Sequence, residues 1–136
     1  MDWKRFFGAC AAVFVVAMLM GFLIHGYLLE ADYRSLGSAM RSPQDAQAHF
    51  PFMVLAYVAS VLAFVWLYAK GVEDKPWLGQ GLRFGLAMWL LGAVSVFLTY
   101  YAVEPLPGSL VAKQIAFELP DFLLLGIVVA ALYRKS

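Results

Sequence analysis

Residues 50–69 form a run of twenty positions with no formal charge, and three further apolar stretches of similar length flank it. At 1.5 Å of rise per residue, such a run crosses the ~30 Å hydrocarbon core of a bilayer. The pattern predicts four transmembrane helices, over residues 6–29, 50–69, 84–103 and 110–133. They make one membrane domain over residues 1–136, an all-α antiparallel four-helix bundle. Punctuation agrees with these bounds. Pro43 and Pro51 bracket the start of the second span, Gly71 follows its end, and Glu104-Pro105-Leu106-Pro107-Gly108 is a tight turn. So short a turn makes the third and fourth spans antiparallel neighbours.

Between the first two spans lies the longest extramembrane segment, residues 30–49. Within it, residues 31–41 fit a short surface helix with Leu36 and Met40 pointing towards lipid, although Gly37 weakens it. Small or polar residues recur at helical spacing within the spans, as close packing between membrane helices requires. Gly21 lies one turn before His25; the second span offers Ala56, Ser60 and Ala63; the third offers Gly85, Met88, Gly92, Ser95 and Thr99. These stripes are expected to face the interior. Gly81 and Gly85 also match the small-x-x-x-small pattern of helix dimers.

Lys4, Arg5, Lys70, Lys75, Arg83, Arg134 and Lys135 fall on one side of the expected topology, and Arg34, Arg41 and Lys113 on the other. Seven against three puts both termini in the cytoplasm of a bacterial inner membrane. Trp3, Trp66 and Trp77 then mark the inner interface, and Tyr27, Tyr33, Tyr100 and Tyr101 the outer one. Arg83 is read as snorkelling to inner headgroups. Composition strengthens the membrane reading: 63% of residues are hydrophobic and 14% charged, against about 45–50% and 25% in soluble domains. A net charge of +1 without basic or acidic runs gives no footprint for nucleic acid. The start of the chain resembles a secretory signal, but its apolar run is too long for one and no small-x-small cleavage site precedes Glu30, so it reads as a retained span. Phe7-Gly8-Ala9-Cys10 precedes any apolar core and is a poor lipidation box. Cys10 has no cysteine to pair with.

Chemistry concentrates in the fourth span. Gln114, Glu118 and Asp121 stand four and three residues apart, on one arc of a helix. A charged carboxyl at a helix centre costs about 2.5–3.5 kcal/mol on insertion scales, so each is expected to find a partner or a polar cavity. Pro120, between the two carboxyls, frees the carbonyl of Ala116 and kinks the helix. His25 precedes Glu30 by five residues and Glu118 follows Lys113 by five, a depth of ~7 Å in each case. If the first and fourth spans touch, His25 and Glu118 form a pair, with Asp121 a turn deeper and Tyr100, Tyr57 and Thr99 as neighbouring donors. Glu30, Asp32, Tyr33 and Arg34 crowd the outer end of the first span, as a solvated face or as the mouth of a path to His25.

The bland reading of this cluster is an interhelical clamp, or carboxyls held neutral. The functional one is a site for a proton, cation or small polar ligand, with His25, Glu118, Asp121, Gln114, Tyr100 and Glu30 as its candidate residues. A metal site would need His49 beside His25 and Glu118, and bis-His haem would need His49 or a second subunit. Nucleophilic triads, phosphate loops, H-E-x-x-H and cysteine pairs do not occur. An enzyme would have to work with His25, Glu118 and Asp121 alone.

Gly81-Leu82-Arg83-Phe84-Gly85, the stretch from Thr99 to Pro107, and Glu118 through Gly126 with Tyr133-Arg134 resemble bacterial four-span membrane proteins of uncharacterised, DUF1761-like families. The resemblance covers nearly the whole chain and departs in the first helix, where His25-Gly26-Tyr27 stands. It implies four helices and no activity or cofactor. The expected function is a small membrane binding or accessory protein with lipid and a membrane partner or second copy around it. The alternative is a proton- or cation-coupled transporter acting as a homodimer.

Overall fold

The computed structural model describes residues 1–134. Lys135, one of the residues in the charge count, lies outside them. Four helices are long and apolar enough to cross a membrane: α1 (Trp3–Leu28), α3 (Pro43–Gly71), α4 (Trp77–Val103) and α5 (Gly108–Tyr133). A short helix, α2 (Glu30–Ser35), joins α1 to α3. This is the architecture of a multi-pass, all-helical membrane protein.

The helices begin earlier than hydropathy alone suggests, and in α1 and α3 polar caps extend them beyond the apolar runs. Asp2 accepts from the Arg5 backbone N–H at 3.2 Å, and Ser42 from that of Asp45 at the same distance. Pro43 opens α3, where its missing N–H costs nothing. Helix α3 therefore takes up seven residues assigned by pattern to the loop, residues 43–49. The surface helix expected over residues 31–41 is two shorter pieces. Gly37, at φ 57°, breaks it after Ser35, leaving a single 3₁₀ turn over Gly37–Ala39. Leu36 packs against Ile24, Leu29 and Leu110, whereas Met40 remains exposed.

Helices α4 and α5 pack most closely. Gly81 opposes Gly126 and Gly85 opposes Phe122, so backbone meets backbone. A Cβ on Gly81 would stand 2.5 Å from the Gly126 carbonyl oxygen. The Gly81-x-x-x-Gly85 pair is thus occupied within the chain and is not available for a dimer. Trp89 ties the same two helices, donating its indole N–H to the Ile115 carbonyl at 2.9 Å. That carbonyl lies on the turn before Pro120, where the proline disturbs the backbone ladder; the expected free acceptor was Ala116, one residue on.

Beyond Trp89 the inward face of α4 changes register. Residues Leu90–Val94 form a π-helical turn, closed by the Ser95 N–H on the Leu90 carbonyl. One extra residue in the turn rotates the remainder of the helix about its axis. Ala93 is buried, while Ser95 and Thr99 face outwards and return their hydroxyls to the carbonyls of Leu91 and Ser95. The expected interior stripe therefore holds for Gly85 and fails for Ser95 and Thr99. On α3 the interior face is Val61, Phe64, Val65 and Tyr68, and the small residues Ala56, Ser60 and Ala63 stand beside it, exposed.

Helix α3 leans on α1 over its second half, where Phe64 and Tyr68 also meet Phe84 of α4 edge-on, at centroid distances of 4.8 and 5.2 Å. Its first half diverges, with Phe50, Phe52, Met53 and Leu55 exposed. Near the termini Arg5 donates to the carbonyls of Leu132 and Arg134, at 2.7 and 2.6 Å, satisfying acceptors that a helix end leaves open.

The glycine contacts make a prediction. Gly85→Leu forces a side chain into the Phe122 backbone, whereas Gly8 has nothing within 4 Å. Gly85→Leu is expected to lower stability by about 1–3 kcal/mol and Gly8→Leu to leave it unchanged, read from thermal unfolding in one detergent.

Candidate functional site

The first span ends in a second π-helical segment, Phe22–Leu28, closed by the Leu29 N–H on the Ile24 carbonyl at 2.9 Å. His25 lies within it, and such wide turns often occur where a side chain is aimed for a purpose. The chain turns sharply at the fully buried Leu29 and starts α2. A continuous helix would put residues 25 and 33 about 12 Å apart along its axis. Instead, the rings of His25 and Tyr33 are 5.9 Å apart.

This fold-back builds a hydrogen-bonded chain. His25 Nε2 lies 2.7 Å from Glu118 Oε1, and His25 Nδ1 lies 2.6 Å from the Tyr33 hydroxyl. Gln114 donates its side-chain N–H to the same hydroxyl at 3.0 Å. The tautomer with its proton on Nε2 satisfies all three bonds: Gln114 donates to the Tyr33 oxygen, the Tyr33 O–H to Nδ1, and Nε2–H to Glu118. A surface tie secures the arrangement: Lys113 holds both oxygens of Asp32, at 3.0 and 3.3 Å. Three adjoining positions on α5, 113, 114 and 118, thus grip the segment from His25 to Tyr33.

Asp121 is 7% exposed and holds its carboxyl beside that of Glu118. Its Oδ1 is buried and has no hydrogen-bond partner among the described residues, and the same holds for Gln114 Oε1. Both carboxyls line a cavity of about 310 Å³ between α1, α3 and α5, where α3 begins to diverge. The Tyr57 and Ser60 side chains add hydroxyls to it, and the other walls are apolar. Tyr57 also borders a second cavity of about 300 Å³, on the His25 side. Its hydroxyl occupies the space that a Cβ on Gly21 would need.

Of the residues proposed from sequence, His25, Gln114, Glu118 and Asp121 come together. Tyr100 is half exposed, at 50%, and takes no part. Glu30 faces outwards and pairs with Arg34. Thr99 turns back on its own helix, and His49 pairs with Asp45 at 3.2 Å on the first turns of α3. No group of three or more His, Cys, Asp or Glu side chains that could hold a metal is gathered among the described residues. Tyr33 is the member that spacing undervalued. Its position eight residues from His25 becomes meaningful only through the turn at Leu29.

No family model, curated protein or solved structure matches the chain.

Burial pushes the Tyr33 phenol above its usual value near 10, and the charge of Glu118 adds to this, while the Gln114 hydrogen bond opposes it. A group raised in the folded state contributes stability that is complete below its unfolded value and lost as pH rises through the folded one. Wild type is therefore expected to lose stability above about pH 10 more steeply than Tyr33→Phe. At pH 7 the variant should be weaker by about 1–3 kcal/mol, because His25 loses a partner. Unfolding curves of both proteins across pH 7 to 11 check this.

Proposed function

We propose that the chain is a small binding protein of a bacterial inner membrane, an antiparallel bundle with both termini cytoplasmic, whose site is the cavity beside Glu118 and Asp121. One observation carries the reading: a carboxyl oxygen of Asp121 is buried without a partner where a cavity adjoins it. A clamp accounts for Glu118, which His25 already serves. It leaves Oδ1 of Asp121 unanswered, although that side chain also hydrogen-bonds Glu118, and a buried polar atom left unpaired costs about 1–3 kcal/mol. A small polar ligand that donates a hydrogen bond removes that cost.

Native mass spectrometry of the chain, extracted gently from its own membrane, tests the reading. A non-lipid mass is expected on wild type and not on Asp121→Asn, with folded yield retained. Lipid alone on the wild-type chain would sink it.

A second reading, a proton- or cation-coupled transporter, draws support from the chain Tyr33, His25, Glu118, which runs from α2 to the carboxyl pair in hydrogen bonds of 2.6 and 2.7 Å. Four helices enclose little volume, so this reading takes a homodimer. Under it, Glu118→Gln abolishes pH-dependent uptake in cells while the protein still accumulates in folded form. Equal loss of folded protein and uptake would instead return Glu118 to a clamp.

A further inference from the structure

We infer that the cavity beside Asp121 takes an organic ammonium ion with an apolar, preferably aromatic, body; the inference rests on the binding reading above and names its ligand class. The donor set is one-sided. Its two acidic residues are the carboxyls Glu118 and Asp121, beside the Tyr57 phenol, and no Lys, Arg or His side chain lines the cavity. An anion would meet two hydroxyl donors, Tyr57 and Ser60, but no positive charge to offset the two carboxyls. Two adjacent carboxyls in an apolar wall repel when both are charged, so they favour a shared proton or an arriving cation.

The histidine does not compete for that place. His25 approaches Glu118 from the neighbouring cavity, across Tyr57, and leaves the Asp121 side open. An ammonium N–H reaching the Asp121 carboxyl from the cavity would make a charge-assisted hydrogen bond to it. The rest of the wall selects the body of the ligand. Tyr57, Phe64 and Phe122 present aromatic surface, and Val61 and Leu125 aliphatic surface. Faces of aromatic rings also attract cations. A hydrocarbon cavity of ~150 Å³ holds benzene, so about 310 Å³ has room for a phenyl ring with a short amine arm. A strongly hydrated inorganic cation gains nothing from such walls.

Equilibrium dialysis of the full chain in phosphatidylcholine nanodiscs, against radiolabelled 2-phenylethylammonium and its neutral counterpart 2-phenylethanol, tests this after subtraction of empty nanodiscs. The ammonium is expected to bind saturably and at least about tenfold more tightly than the alcohol, the ratio that a charge-assisted hydrogen bond supplies. Asp121→Asn should remove that preference. Ser60→Phe, which adds a ring to the cavity wall and keeps both carboxyls, should abolish binding of both probes. Equal binding of ammonium and alcohol to wild type would overturn the cationic class and leave the cavity a binding site. Absence of saturable binding by either probe would overturn the binding reading as well.

Discussion

A carboxyl on a helix with apolar surroundings cannot turn to water, so it must obtain its hydrogen bonds from the chain itself. Glu118 does so through His25, 2.7 Å away, and much of the end of the molecule that carries α2 is shaped by holding that pair in place. His25 has to be aimed across to α5, which occurs in a π-helical segment. Its other nitrogen then needs a partner, which brings Tyr33 back over the end of α1. Tyr33 in turn requires the turn at Leu29 and the seat formed by Ile24, Leu29 and Leu110, with Lys113 gripping Asp32 at the rim. Removing any of these supports leaves a polar atom stranded rather than merely loosening a loop.

The helices divide by how they are held. Helices α4 and α5 meet through glycines with backbone against backbone, a contact that lets neither slide. Helix α3 is held along one half by larger side chains, Val61, Phe64, Val65 and Tyr68, and diverges along the other. The cavity opens where those two regimes meet, with the carboxyls on the closely packed helix and Tyr57 and Ser60 on the diverging one. A ligand there would rest on a closely packed wall that carries the carboxyls and a second wall that carries hydroxyls.

Hydropathy and charge made the four spans legible, because a bilayer imposes one length on every crossing. The meeting of His25 with Glu118 was legible for a related reason: two helices running between the same interfaces share a depth scale, so counting from the outer polar residues put the two level. What escaped the sequence were departures from α periodicity. Ser95 and Thr99 continue the spacing of Gly85 and Gly92 on paper, but the wide turn over Leu90–Val94 rotates them outwards and brings in Ala93. Tyr33 escaped because its contact depends on a break at Leu29 that no proline or glycine announces. Gly81 and Gly85 were legible as a packing surface, yet spacing could not tell that the opposing surface was Gly126 of the same chain. Tyr100 and Glu30 looked suitable by depth alone, and depth carries no information about which way a side chain faces.

Glu118 and Asp121 therefore have different standing. A buried ion pair or hydrogen-bonded pair can be retained for the geometry it enforces, and His25 with Glu118 fits that description fully. Asp121 hydrogen-bonds Glu118, yet its Oδ1 has no partner among the described residues, and burying a polar atom in that way carries a cost. Its neighbour Pro120 compounds the expense by disturbing the helix at the same turn. Two local rules are thus broken within two residues, beside a cavity and next to an already satisfied carboxyl. Departures of this kind concentrate where a protein meets something other than itself. On the binding reading proposed above, the clamp and the site are not rival descriptions of one cluster: His25 and Glu118 fix the wall, and Asp121 is the part of it that a ligand would meet.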